Sequence, residues 1–172
     1  ETVTDYLLNK LIHSDHRGPG RWAGPLRRSV YNRVYGFNDG EKIIKLLSQI
    51  IIDCVRKFGR KDDFIGHIGN DDFVIITSPP KSEKIAKNII QTFDSKVLDF
   101  YKGNDREQEF IVITDRKGKQ NKTPLLSISV AIVNNLYKKF NHIIEIKDTA
   151  FELIQYLKNK KGSNYSIDRR RK

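Results

Sequence analysis

Apolar residues recur along most of this chain at spacings that assign its elements. Ile43, Leu47, Ile50, Ile51, Cys54 and Phe58 fall three and four residues apart, the mark of one helix face. That helix runs to Phe58, where Gly59 can stop it. Residues 64–68 and 73–77 read as short strands around an acidic turn, a hairpin by length and composition. Pro79-Pro80 breaks the chain, and Ile85, Ile89, Phe93, Val97 and Phe100 then mark a second helix. Residues 110–114 and 125–133 read as a second strand pair, joined by the basic stretch DRKGKQNKT. In the later strand Leu126, Ile128, Val130 and Ile132 alternate with Ser127, Ser129 and Ala131, so the small residues predict a close-packed second face. A last helix carries Ile146, Ala150, Leu153, Ile154 and Leu157, with Gly162 as its expected C-cap.

The N-terminal part is less regular. Residues 4–12 read as a short helix, and HSDHRGPGRWAGPLRRS shows neither helical nor strand periodicity. Helix, hairpin, helix, hairpin, helix is the order of an α/β (α+β) sandwich, an antiparallel-rich sheet with helices packed on it. Its first strand is not defined by the pattern. The expected organisation is an irregular or rebuilt segment over residues 1–31, one domain over 32–165, and a basic tail over 166–172.

Composition narrows the picture only in places. A chain of 172 residues, 38% hydrophobic and 31% charged, can bury one real core. No apolar run reaches the length of a membrane span and no signal peptide is visible, so the expected location is cytoplasmic. The chain begins at Glu1 and has no Met, which reads as a fragment of a longer protein. Its single cysteine, Cys54, sits in the apolar helical pattern and reads as a buried structural thiol. His13, His16, His67 and His142 do not pair at ligand spacing, so no zinc site is assigned. Thirty-two basic against 21 acidic residues give +11, which suits an anionic partner without choosing among nucleotide, nucleic acid and membrane surface. No nucleic-acid motif accompanies the charge, which counts against that partner.

The acidic turn is the chemical feature. Asp71 and Asp72 at a hairpin tip would project carboxylates into solvent, and Mg²⁺ takes one or two carboxylates together with water and substrate phosphates. Gly69 would let a phosphate approach the backbone, and Asn70 tolerates a left-handed turn position. A plain hairpin turn explains the same residues without a ligand.

The surrounding motifs favour the chemistry. FIGHIGNDDFVII resembles the signature hairpin of the GGDEF family, the diguanylate cyclases, with the turn here reading Gly69-Asn70-Asp71-Asp72-Phe73. YNRVYGFNDGEKIIKLL is similar to the family's Asn-x-x-Tyr-Gly-x-x-x-Gly-Asp stretch, with Asn32, Tyr35, Gly36, Gly40 and Glu41 at the matching places. LLSISVAIV and DTAFELIQYLKNKKGSN resemble the family's later strand and closing helix, and the resemblance spans about residues 30–165. It implies a ferredoxin-like, nucleotidyl-cyclase palm that acts as a homodimer, each copy presenting one GTP.

By this resemblance Asp71 supplies metal binding and catalysis, and Asp72 is its acidic neighbour. Mg or Mn is the implied cofactor if the domain is active. Asn32 and Glu41 would take guanine, whose N1 and N2 hydrogens need acceptors, and Gly69 and Asn70 would border the substrate. Arg60-Lys61-Asp62-Asp63 stands five residues before the turn and fits the family's inhibitory product site Arg-x-x-Asp. Arg60 would clamp phosphate or stack on guanine, with Asp63 accepting from the guanine edge.

The departures fall on catalytic groups. The family's strand before Asn32 carries a metal-binding aspartate, yet WAGPLRRSVYN has no acid, and Gly24 and Leu26 stand about where acids belong. Arg33 replaces the usual Asp, and the family's phosphate-gripping Lys and Arg fall at Asn159 and Ser163. The expectation is a cyclic di-GMP signalling domain that binds cyclic di-GMP or GTP and cyclises poorly or not at all, tethered to a sensor or regulatory domain. The alternatives are an active Mg-dependent diguanylate cyclase, and a basic nucleic-acid-binding or dimerisation module.

Overall fold

A computed structural model describes residues 5–11, 27–69, 71–114, 117–136 and 138–170. Its main sheet has five strands: β1 (Asp5–Leu11), β2 (Phe64–His67), β3 (Asp72–Thr77), β6 (Ile128–Asn134) and β7 (Asn164–Ile167). Their order is β2-β3-β1-β6-β7, with β6 and β7 parallel and the other pairs antiparallel. Two further strands, β4 (Phe110–Thr114) and β5 (Gln120–Pro124), form a separate antiparallel ribbon. This is the antiparallel-rich α/β sheet expected from the pattern, in the palm arrangement that the resemblance implies.

The centre of the sheet is where the sequence reading needs correction. Residues 5–11, read as helical, are strand β1, hydrogen-bonded to β3 on one side and β6 on the other. A strand with neighbours on both sides can show a run such as Tyr6-Leu7-Leu8 that periodicity cannot separate from a short helix. The second expected hairpin is also re-paired. Phe110–Thr114 bonds to Gln120–Pro124 rather than to the later strand, which instead enters the main sheet beside β1.

Helices α2 (Phe37–Phe58) and α3 (Pro79–Val97) bury their apolar stripes against one face of the sheet, and α5 (Ile143–Lys158) covers part of the other. Ile43, Leu47, Ile51, Ile85, Ile89 and Phe93 are all fully buried in the larger core. Strand β6 shows the division directly: Ile128, Val130 and Ile132 join the α2/α3 core, while Ala131 and Val133 pack with Ala150 and Ile154 of α5. Of the small residues in that alternation, Ala131 packs against α5, while the Ser129 hydroxyl donates to Asn164 Oδ1 at 3.1 Å. Pro79 and Pro80 sit in the first turn of α3, where a missing N–H costs nothing. Helix α5 ends at Lys158 with Asn159 as its cap, and Gly162 takes a left-handed conformation (φ 74°) in the turn that leads to β7. Cys54 is a buried free thiol, and burial raises its pKa.

A short helix α1 (Arg27–Tyr35) precedes α2, and Gly36 joins them at φ 93°, a conformation that strains any other residue. Tyrosines fasten α1 to the segment after α3. Tyr31 is fully buried, stacks on Tyr35 at 4.8 Å and donates its hydroxyl to the Phe100 carbonyl at 2.9 Å. The Tyr35 hydroxyl donates to Asp105 Oδ2 at 2.6 Å, on α4 (Asn104–Gln108). Among the described residues no helix is long and apolar enough to cross a membrane.

Candidate functional site

The acidic turn joins β2 to β3 and is closed by the Ile68 N–H donating to the Asp72 carbonyl at 2.9 Å. Its carboxylates do not both reach into solvent as expected. Asp71 is 5% exposed, and Asp71 Oδ2 and Asp72 Oδ1 are both shielded from water. Gly69 is exposed, and a Cβ there would meet Asp72 Oδ2 at an ordinary 3.7 Å. Asn70 lies outside the described residues, as do Trp22, Gly24 and Leu26.

Strand register shows what stands beside the turn. Asp72 pairs with Lys10 of β1, Lys10 with Ser129 of β6, and Ser129 with Asn164 of β7. The only acid in β1 is Asp5, paired with Thr77 and Asn134 five residues back along the strand, about 17 Å away at ~3.3 Å per residue. Among the described residues no group of three or more His, Cys, Asp or Glu side chains could hold a metal ion. Among the described residues, one largely buried carboxylate and its neighbour are fewer acids than a two-metal phosphoryl-transfer centre takes.

The two expected guanine ligands are brought together. Asn32 of α1 lies directly on Gly40 of α2, where a Cβ would come within 2.0 Å of Asn32 Oδ1, so only glycine admits the amide beside Glu41. Asn32 Oδ1 is buried and accepts no hydrogen bond among the described residues. Glu41 Oε1 accepts from Arg28 Nη2 at 2.8 Å, and its side chain is 61% exposed. Sequence reasoning missed Arg28. The signal was available, since Arg28 stands one turn before Asn32 and shares its face of α1.

Arg60 and Asp63 are also neighbours, in unequal states. The Asp63 side chain is fully buried, and its Oδ2 accepts from the Arg60 backbone N–H at 2.8 Å and from the Thr77 hydroxyl at 2.6 Å. It closes the turn between α2 and β2, and Gly59 leaves it room: a Cβ there would come within 2.3 Å of Oδ2. Arg60 is half-exposed, its Nε 3.5 Å from Asp63 Oδ1. The two border a groove of about 770 Å³ between α2 and the β2–β3 hairpin, with Arg56, Lys61, His67 and Phe73 also on its walls. That volume is in the range of small-molecule sites.

Asn159 and Ser163, at the places of the expected phosphate ligands, have structural partners. The Asn159 amide donates to the Gln155 carbonyl at 3.2 Å. Ser163 Oγ accepts from the Ile128 N–H at 3.0 Å and donates to Asp94, tying the start of β7 to β6 and α3.

A palm-like sheet carrying an acidic hairpin turn, with Asn32 and Glu41 on adjoining helices, has the layout of a nucleotidyl-cyclase type of domain. The family model described as diguanylate cyclase, GGDEF domain, matches residues 29–162, and the chain belongs to that family, whose signalling molecule is cyclic di-GMP. No curated protein matches the chain by sequence. The active GGEEF domain of a diguanylate cyclase from Vibrio cholerae is similar in fold, at a TM-score of 0.65 and 13% identity, over 98% of this chain and 85% of that one. The GGDEF domain of DgcB from Caulobacter crescentus, solved in complex with c-di-GMP, gives a TM-score of 0.55 at 11% identity, over 96% and 78%. Diguanylate cyclase SiaD of Pseudomonas aeruginosa, solved with its activator SiaC, gives 0.60 at 8%, over 97% and 50%.

Proposed function

We propose that this domain binds guanine nucleotide and has weak or no cyclase activity, with cyclic di-GMP held in the groove beside Arg60 and Asp63. The groove itself carries the reading. Its volume suits a nucleotide, and Arg56, Arg60 and Lys61 bring three cations to its walls. Asp63 is fixed by two hydrogen bonds and holds the turn, so Arg60 is the member of the pair free to clamp a phosphate. Asn32 and Glu41 would form a second guanine position, with Gly69 and Asn70 bordering its phosphates.

Weak cyclisation is supported by three placements. Lys10 is in register with Asp72, Asn159 caps a helix, and Ser163 bridges β6 to α3. Losing one well-placed electrostatic group commonly costs about 100-fold or more in rate, and Asn159 and Ser163 stand where the family has two such groups. If Asp71 and Asp72 do hold Mg or Mn in a homodimer, the active reading returns. Incubating the purified domain with GTP and either ion, then resolving products by chromatography, decides between them. The proposal expects GTP recovered intact; steady formation of cyclic di-GMP would overturn it. Salt-sensitive binding to a short DNA duplex, with no response to nucleotide, would instead favour the nucleic-acid reading.

A further inference from the structure

His67 and Phe73 stand directly opposite each other on β2 and β3. Their rings are nearly parallel, with centroids 4.3 Å apart and planes at 9°. Phe73 is the lower layer, 2% exposed and part of the main core. His67 is exposed, so one face of its imidazole rests on Phe73 while the residue borders the groove of Arg60 and Asp63. Stabilising the hairpin explains an aromatic pair across two strands. It does not explain why the upper ring is polar, exposed and beside three cations.

A flat ring already fixed on a buried aromatic loses little further freedom when another ring is laid on it. Aromatic faces next to basic side chains are the arrangement that receives nucleotides, with base on ring and phosphate on cation. We infer that His67 is the base-stacking platform of this groove: one guanine of the bound nucleotide extends the Phe73–His67 stack by a third layer, while Arg56, Arg60 and Lys61 meet the phosphates. The inference rests on the reading that the groove takes cyclic di-GMP and adds the residue on which the base lies. Stacking accepts any purine, so His67 contributes affinity, and discrimination between guanine and adenine falls to groups that meet the base edge.

The test is a titration of the domain with cyclic di-GMP, followed by calorimetry and by the ring-proton resonances of His67. At saturation the imidazole protons of the wild type move upfield, the signature of a ring stacked above them. His67→Ala binds about tenfold more weakly or worse, the loss expected of one base stack, whereas His67→Phe stays within about threefold of wild type. Unmoved His67 protons in a wild-type protein that binds cyclic di-GMP would overturn the platform, whatever the affinity of the variants. If that binding is also lost in Arg60→Ala, the groove assignment stands and only the platform falls. No binding by the wild type would overturn both. Because the proton shift is read on the wild type, a variant that fails to fold does not spoil the test.

Discussion

Gly40 has no side chain because Asn32 occupies the space one would need. Gly40→Ala puts a carbon 2.0 Å from Asn32 Oδ1, so the amide must leave its place beside Glu41. The expected cost is about 1–3 kcal/mol of stability, the usual range for overpacking, together with loss of GTP affinity and unchanged cyclic di-GMP affinity; a denaturant melt and two titrations check this. Tyr35 gives a prediction in pH. Burial first, and then its hydrogen bond to Asp105, push its hydroxyl pKa from 10.0 up to about 12. The folded state therefore holds this proton more tightly than the unfolded one. That stabilisation is complete below pH 10 and is lost as pH rises towards 12. Unfolding free energy should fall across this window, and Tyr35→Phe should make the fall shallower. At this scale the sequence was partly legible. The resemblance singled out Asn32 and Glu41, but Arg28 and the inward-facing Asp63 depend on contacts made across the fold, which spacing does not record.

Elements with a one-sided apolar stripe were the readable ones. Helices α2, α3 and α5 show their buried faces in the sequence because solvent covers the opposite side. Strand β5 was not readable: Gln120–Pro124 alternates no apolar residues, since its ribbon stands apart from the main sheet. Strand β1 was misread for the opposite reason, being hydrogen-bonded on both sides at the centre of the sheet. Strand β6 supports a sharper expectation. Ala131 is fully buried against α5, so Ala131→Leu must push the helix outward or force strained rotamers. A loss of about 1–3 kcal/mol is expected, seen as a lower melting temperature. A neutral result would show that α5 can shift without cost.

For the whole molecule, membership in the GGDEF family and its fold are established, and the proposed loss of cyclisation rests on the groups around the turn. The acidic hairpin is retained. Its neighbour on the central strand is a lysine in register, and two expected phosphate ligands have structural partners instead. The groove alongside β2 keeps a half-exposed arginine, two further cations and a nucleotide-sized volume. The overall charge of +11 favours any anion, so a point substitution is needed to separate a built site from general attraction. The Arg60 side chain is half-exposed and makes a long contact with the buried Asp63, whose bonds from the Arg60 N–H and the Thr77 hydroxyl survive Arg60→Ala, so that variant should remain folded. The most direct measurement is a calorimetric titration of cyclic di-GMP into the wild type and into Arg60→Ala at one fixed salt concentration. Saturable binding by the wild type, weakened at least tenfold in a variant that melts normally, is the predicted result. Equal affinities in the two proteins, or no binding in either, would contradict it.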